Sequence, residues 1–206
     1  MRRTEAAPAA PSHVPAPLGR DSGVAADEVQ DFDRGSGPLF HRVYRTRIRD
    51  SPMSAGELMA AIKSSPNRAA PKQFARFQMT RGRAGELSVG DEFVVRMPGP
   101  WDGPVRVIDV RPQSFRFATL DGHLEAGQIE FRARRDGDLL LVEIESWARS
   151  SSGLVDLLYH RLRMAKEIQA HMWISFLERV IKLSGGRMTG GIEIRTERLD
   201  PATLRR

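Results

Sequence analysis

The most constraining feature of this chain is a series of short strand-like segments, each cut off by turn residues, followed by one long apolar stripe of helical period. Segments 74–80, 92–97, 105–110, 114–120, 128–134 and 138–147 are separated by Arg81-Gly82, Pro98-Gly99-Pro100, Pro112, Asp121-Gly122 and Asp136-Gly137. Proline lacks the N–H that a strand ladder needs, and glycine supplies the positive φ of a tight turn. Asp-Gly between two extended runs is a hairpin signal for that reason. Within the segments the side chains alternate: Phe115 and Phe117 flank Arg116, and Ile129, Phe131 and Ala133 alternate with Glu130, Arg132 and Arg134. Successive side chains of a strand point to opposite faces, so this pattern predicts antiparallel strands with one buried and one wet face.

The stripe consists of Leu154, Leu158, Leu162, Ala165, Met172, Phe176 and Val180. Spacings of three and four predict a helix from Leu154 to about Leu183, introduced by Ser152-Gly153 and stopped at Ser184-Gly185-Gly186. Asp156, His160, Arg163, Glu167 and Glu178 lie largely elsewhere on the wheel. A stripe this long has to cover something large and apolar, and the concave face of the sheet is the candidate. Ahead of the series, 41–48 alternates as a first strand and is broken by Ser51-Pro52. Ser54 with Glu57 three residues later forms a capping-box pattern that opens a short helix, Ala55 to Lys63. A second short helical turn is predicted before Pro71, and Ile192-Glu193-Ile194-Arg195 after the long helix predicts a short strand or an extended tail.

The expected fold class is α+β: a curved antiparallel sheet of about seven strands wrapped around one long C-terminal helix, with two short helices after the first strand. This order resembles the helix-grip layout of START and polyketide-cyclase-like proteins. In that layout a cavity often remains between sheet and helix. Three regions are expected. Residues 1–38 are rich in Ala and Pro, with few large apolar side chains, so they cannot offset their chain entropy and read as a disordered leader. Residues 39–186 form the helix-grip domain, and residues 187–206 a C-terminal extension.

A more specific resemblance lies at Thr119-Leu-Asp-Gly122-His123-Leu-Glu125-Ala-Gly127-Gln-Ile-Glu130-Phe131, followed by Asp136-Gly137 and by Glu143 to Ser150. It is similar to the DUF1990 family, whose central pattern is Thr-Leu-Pro-Gly-His-Pro-Glu-x-Gly-Glu-Glu-x-Phe, with a strand ending in a Ser-Arg pair and then a long basic helix. The resemblance runs from about Phe74 to Leu183. Asp121 and Leu124 stand where the family has prolines, and Gln128-Ile129 disturb its acidic pair, leaving Glu130. The resemblance implies a helix-grip fold and no established activity.

Composition enters as a set of exclusions. The chain has no cysteine, which removes disulfides, cysteine nucleophiles and thiolate metal sites. It has no 18-residue apolar span and no secretory-type apolar leader, which points to a soluble cytoplasmic protein. No phosphate loop, dinucleotide fingerprint, zinc spacing or nucleophile elbow is present, so no cofactor and no metal is expected. The net charge is +6. Arg42, Arg45, Arg47 and Arg49 cluster in one strand and Arg132, Arg134 and Arg135 in another. Such a basic stripe suits an anionic partner. Interspersed acids and the lack of an RNA-binding motif argue against nucleic acid.

His123 and Glu125, two apart at a strand edge, project to the same side and suit proton sharing or the orientation of a polar ligand group. They also suit a second role, capping a tight turn between Gly122 and Gly127. Glu130 and Arg149 are candidates for the same polar network, or for a surface ion pair. Trp147, Met172 and Phe176 are candidate apolar walls, or members of a filled core. The leading expectation is an apolar or amphipathic small molecule bound between sheet and long helix, with the catalytic question open. The alternatives are an interaction protein that uses its basic face, and a cyclase- or hydrolase-like enzyme.

Overall fold

Alternation along the strands builds one large sheet, onto one face of which a helix packs. The computed structural model describes residues 2–5, 28–98, 102–151 and 159–199, with the backbone alone at 2–5 and 159–168. The strands are β1 (Arg2–Glu5), β2 (Gly35–Arg49), β3 (Arg76–Arg81), β4 (Glu92–Arg96), β5 (Asp102–Arg111), β6 (Ser114–Thr119), β7 (Glu125–Asp136), β8 (Leu139–Ser151) and β9 (Arg187–Leu199). They form a single nine-stranded sheet in the order β1-β9-β2-β8-β7-β6-β5-β4-β3. All neighbours are antiparallel except β1 and β9.

The run from β3 to β8 follows the predicted segments and turns, because each hairpin is set locally by its Pro or Gly. The count of about seven strands is too low. β1 and β9 are the additional two, and β9 is longer than the short strand expected around Ile192 to Arg195 and lies inside the sheet. This strand pairs with β2 from Leu39 to Arg49 and buries Ile192 and Ile194 in the main core. Without it the long edge of β2 would be left unpaired, a liability that closed pairing removes. Because β9 follows the long helix, that helix is not the last element.

The leader boundary at residue 38 also falls too late. Val29 and Phe32 are buried, Val29 forms a bridge to Leu120, and Asp31 caps a 3-10 turn at Phe32–Arg34. These are two of the few apolar residues of that stretch, and they anchor it. The disorder expected of residues 6–27 lies outside the described residues.

Between β2 and β3, helix α1 (Ala55–Ser64) starts as its capping box requires. Ser54 Oγ accepts from the Glu57 N–H at 3.2 Å, and the Glu57 carboxylate accepts from the Ser54 N–H at 2.7 Å. A 3-10 turn, Pro66–Arg68, is the second short helix. Helix α2 (Tyr159–Ser184) has 26 residues. Its predicted start at 152–158 lies outside the described residues. It ends at Gly185, whose φ of 71° is the left-handed value of a helix stop. Met172, Trp173, Phe176, Leu177 and Val180 pack against Tyr44, Ile48, Phe115, Phe117, Phe131 and Ile144 in one cluster that also takes in Leu58, Met59 and Ile62 of α1. No described helix is long and apolar enough to cross a membrane.

Candidate functional site

The core between α2 and the sheet is filled at one end and open at the other, and the paired strands β7 and β8 show why. On the helix-facing side, Phe131 pairs with Ile144, Ile129 with Ser146, and Gly127 with Ala148. Side-chain volume shrinks stepwise along both strands toward the β6–β7 turn. Opposite the small end, α2 presents Gln169 rather than a large apolar residue. The result is a cavity of about 100 Å³. Phe77, Phe117, Phe131, Met97, Met172 and Trp173 form its apolar walls, and Thr119, His123, Glu125, Ser146 and Gln169 gather on its polar side. Gly127 is required here by close approach, since a Cβ would fall on the carbonyl oxygen of Trp147.

His123 follows the Asp121-Gly122 turn, where Gly122 takes φ 93°. Its N–H donates to the Leu120 carbonyl at 3.0 Å, and its Nδ1 accepts from the Glu125 N–H at 2.9 Å. Nδ1 also lies 3.0 Å from the Glu125 carbonyl oxygen, and Nε2 faces Gly103. A Cβ at Gly103 would stand 3.0 Å from that nitrogen. Burial pushes the imidazole below its ordinary pKa despite the nearby Glu125 carboxylate, so the ring is neutral.

Glu125 ties sheet to helix. Its Oε2 accepts from Gln169 Nε2 at 2.8 Å, and its Oε1 faces Arg42 Nη1 at 3.4 Å. The Arg42 guanidinium lies over the Phe40 ring, 5.0 Å from its centroid. Arg42 and Gln169 are site residues that sequence reasoning passed over. Arg42 shares the inward phase of β2 with Tyr44 and Ile48, and a charge on a buried face is itself a signal. Gln169 interrupts the apolar stripe between Ala165 and Met172.

Three of the seven candidate residues therefore meet at the cavity: His123, Glu125 and Met172. Phe176 lies deeper in the filled core, 5.3 Å from the Phe131 ring and 6.0 Å from that of Trp173. Glu130, Trp147 and Arg149 are on the opposite face of the sheet, because they are out of phase with the inward residues of β7 and β8. Glu130 accepts from Arg116 at 3.1 Å. Trp147 stacks on His41 with ring centroids 5.3 Å apart, among Phe32, Leu39 and Leu199. Arg149 lays its stem beside Gly35. Trp101 and the side chains of His160, Met164, Glu167 and Ile168 lie outside the described residues. His171 is exposed. Among the described residues, no group of three or more His, Asp or Glu side chains is placed to hold a metal ion.

The same outer face carries Arg45, Arg47 and Arg132 of the predicted basic stripe, and there these arginines meet carboxylates, whereas Arg42 is turned to the inner face. Arg45 pairs with Glu193 at 2.6 Å, and Arg47 with Glu193 at 3.0 Å and Asp136 at 3.3 Å. Arg132 reaches Glu145 at 2.5 Å, Glu143 at 2.7 Å and Glu130 at 3.5 Å. Burial alone would raise the Glu145 carboxyl, but hydrogen bonding from His41 and the charge of Arg132 outweigh it and hold the group below the usual range.

A helix packed on an antiparallel sheet, with a cavity at one end of the contact, is the helix-grip class, and solved structures of that class are similar to this one. The KanY protein matches with a TM-score of 0.51 and 12% identity over 70% of this chain and 96% of that one. Major latex-like protein 151 of Panax ginseng matches at 0.52 and 15% over 72% and 99%. The di-domain ARO/CYC StfQ from the steffimycin biosynthetic pathway matches at 0.54 and 9% over 72% of this chain and 51% of that one, so the chain spans about half its length. At such identities the likeness shows the fold alone. The family model described as a domain of unknown function (DUF1990) matches residues 63–177, more than half of the sequence, and the chain belongs to that family. No curated protein matches it.

Proposed function

We propose that this protein binds an apolar or amphipathic small molecule in the cavity between α2 and the β6–β7–β8 part of the sheet. The observation that carries this reading is the taper from Phe131–Ile144 to Gly127–Ala148, which leaves space walled by aromatic and methionine side chains beside a few polar groups. Mostly apolar walls with few convergent polar groups are the usual composition of a small-molecule site. At about 100 Å³ the cavity suits a small ring or the inner end of a longer molecule that continues outward. The Glu125 carboxylate accepts two hydrogen bonds and keeps lone pairs for a ligand hydroxyl or amine. The neutral His123 ring lines the polar side of the cavity. Trp173 and Met172 supply the helix side of the wall. One of the similar structures is an ARO/CYC of a biosynthetic pathway, which accords with a small-molecule role. The paired arginines of the outer face weigh against a polyanion as partner.

The test is a fluorescence titration of the intact chain with 1-anilinonaphthalene-8-sulfonate, an amphipathic aromatic probe. Saturable binding to one site is expected. Val105→Phe, which fills the cavity from β5, should weaken it about tenfold, an order of loss set by the displaced apolar contact. Arg45→Ala on the outer face should leave it unchanged. Equal effects of the two variants, or no saturation, would overturn the assignment.

A further inference from the structure

Residues 28–34 lie outside the family match, yet they hold the turn that presents the site. Gln30 is the centre of this contact. Its Nε2 donates to the His123 carbonyl at 2.8 Å and to the Glu125 carbonyl at 3.1 Å. Its own carbonyl accepts from Thr119 Oγ1 at 2.7 Å and from the Gly127 N–H at 3.0 Å. Its N–H donates to the Thr119 carbonyl at 2.8 Å. One residue thus spans the turn from the last residue of β6 to the start of β7, and its side chain joins the two residues whose side chains face the cavity.

The segment around Gln30 is fixed at both ends. Val29 packs on Ala118 and Leu120, and Phe32 on Trp147, Leu39 and Leu199. Arg34 Nη1 donates to the Val29 carbonyl at 2.8 Å and lies 3.5 Å from Asp121. The Asp121 N–H donates to the Glu28 carbonyl at 3.0 Å. The turn needs such a support. It contains Gly122 at positive φ, and the family's two prolines are replaced by Asp121 and Leu124, so the chain itself does little to restrict it.

We propose that Gln30 is a positioning residue for the ligand site: by bridging the carbonyls of His123 and Glu125 it holds His123 Nδ1 against the backbone N–H and carbonyl of Glu125, and so keeps the ring in one neutral form. The consequence for binding rests on the small-molecule reading, whereas the effect on the ring does not. A segment that only covers the outer face would leave the ring as it is.

The experiment compares the full chain with Gln30→Met, which keeps the side-chain length and removes both donors. The readouts are nitrogen NMR of the His123 imidazole across pH and titration with 1-anilinonaphthalene-8-sulfonate. In the parent chain the ring is expected in a single neutral tautomer, titrating below 6.5. In Gln30→Met a mixture of tautomers is expected, with the titration moved up toward 6.5, and probe binding about tenfold weaker as the competent turn becomes one of several. An unchanged tautomer and titration in a folded Gln30→Met overturns the proposal, whatever the change in melting temperature. If that variant does not fold, Gln30→Asn, whose shorter amide reaches one carbonyl at most, carries the same test with a smaller shift. A ring that responds to Gln30 in a chain that binds no probe supports the positioning role and rejects the ligand reading.

Discussion

The two faces of the sheet are made by alternate residues of the same strands, and they solve different problems. Phe131 points inward to Phe115, Trp173 and Phe176, while its neighbour Arg132 points outward to Glu130, Glu143 and Glu145. The inner face gains by removing apolar area from water, and it leaves a gap only where its side chains become small. The outer face is wet and charged, and there Arg45, Arg116 and Arg132 meet acids on the adjacent strands. The contrast teaches where to look for function in such a chain. The basic residues outnumber the acidic ones, but those of the outer face are paired with carboxylates. The unspent capacity is on the inner face, at the polar side of an apolar gap.

Substitutions can break this comparison. The largest effect should come from Phe131→Ala, which empties the centre of the ring cluster and should cost about 3–5 kcal/mol in chemical denaturation. Arg132→Ala, one residue away, should cost about 1–3 kcal/mol, because it takes the arginine from the partly buried Glu143 and Glu145, whereas Glu130 keeps Arg116. The two losses should also differ in kind. The Arg132→Ala deficit should shrink as salt rises, since screening relieves repulsion among the carboxylates, and the Phe131→Ala deficit should not.

Acid should separate the faces further. The His123 ring is held below its ordinary value, so the fold favours the neutral form. Its contribution is complete above the unfolded value of 6.5 and is lost as pH falls below it, with a slope of at most about 1.4 kcal/mol per pH unit. The Glu145 carboxyl is also held low, so its contribution is complete above 4.5 and is lost below that pH. Stability against pH should therefore fall in two steps, the upper one absent in His123→Gln and the lower one reduced in Arg132→Ala. A single step unaffected by His123→Gln would refute the buried neutral ring. The smallest effect should come from Arg45→Ala, which removes a largely exposed ion pair and should cost less than about 1 kcal/mol.

Much of this layout was legible in the sequence, and the limits have physical causes. The strands from β3 to β8 were readable because their turns are local, and α1 because its cap is written in Ser54 and Glu57. The parity that sends Phe131 in and Arg132 out was readable too. Applied strictly, it would have removed Glu130, Trp147 and Arg149 from the site, since they share the phase of the outward acids Glu143 and Glu145. Trp147 misled because it is aromatic and buried. What buries it is Phe32 from a segment whose composition looks disordered, a contact that no local pattern reveals. The insertion of β9 between β1 and β2 is likewise a long-range pairing. Arg42 and Gln169 were hidden for a related reason: each becomes a site residue only through Glu125, which reaches both from a third element.

The central claim is that the tapered end of the inner face holds a small molecule. Native mass spectrometry of the intact purified chain, set beside its denatured mass, tests it most directly. The account predicts a discrete additional mass that is lost on unfolding and is absent from Val105→Phe. A bare mass for the parent chain in repeated preparations, or the same adduct retained by Val105→Phe, would contradict it.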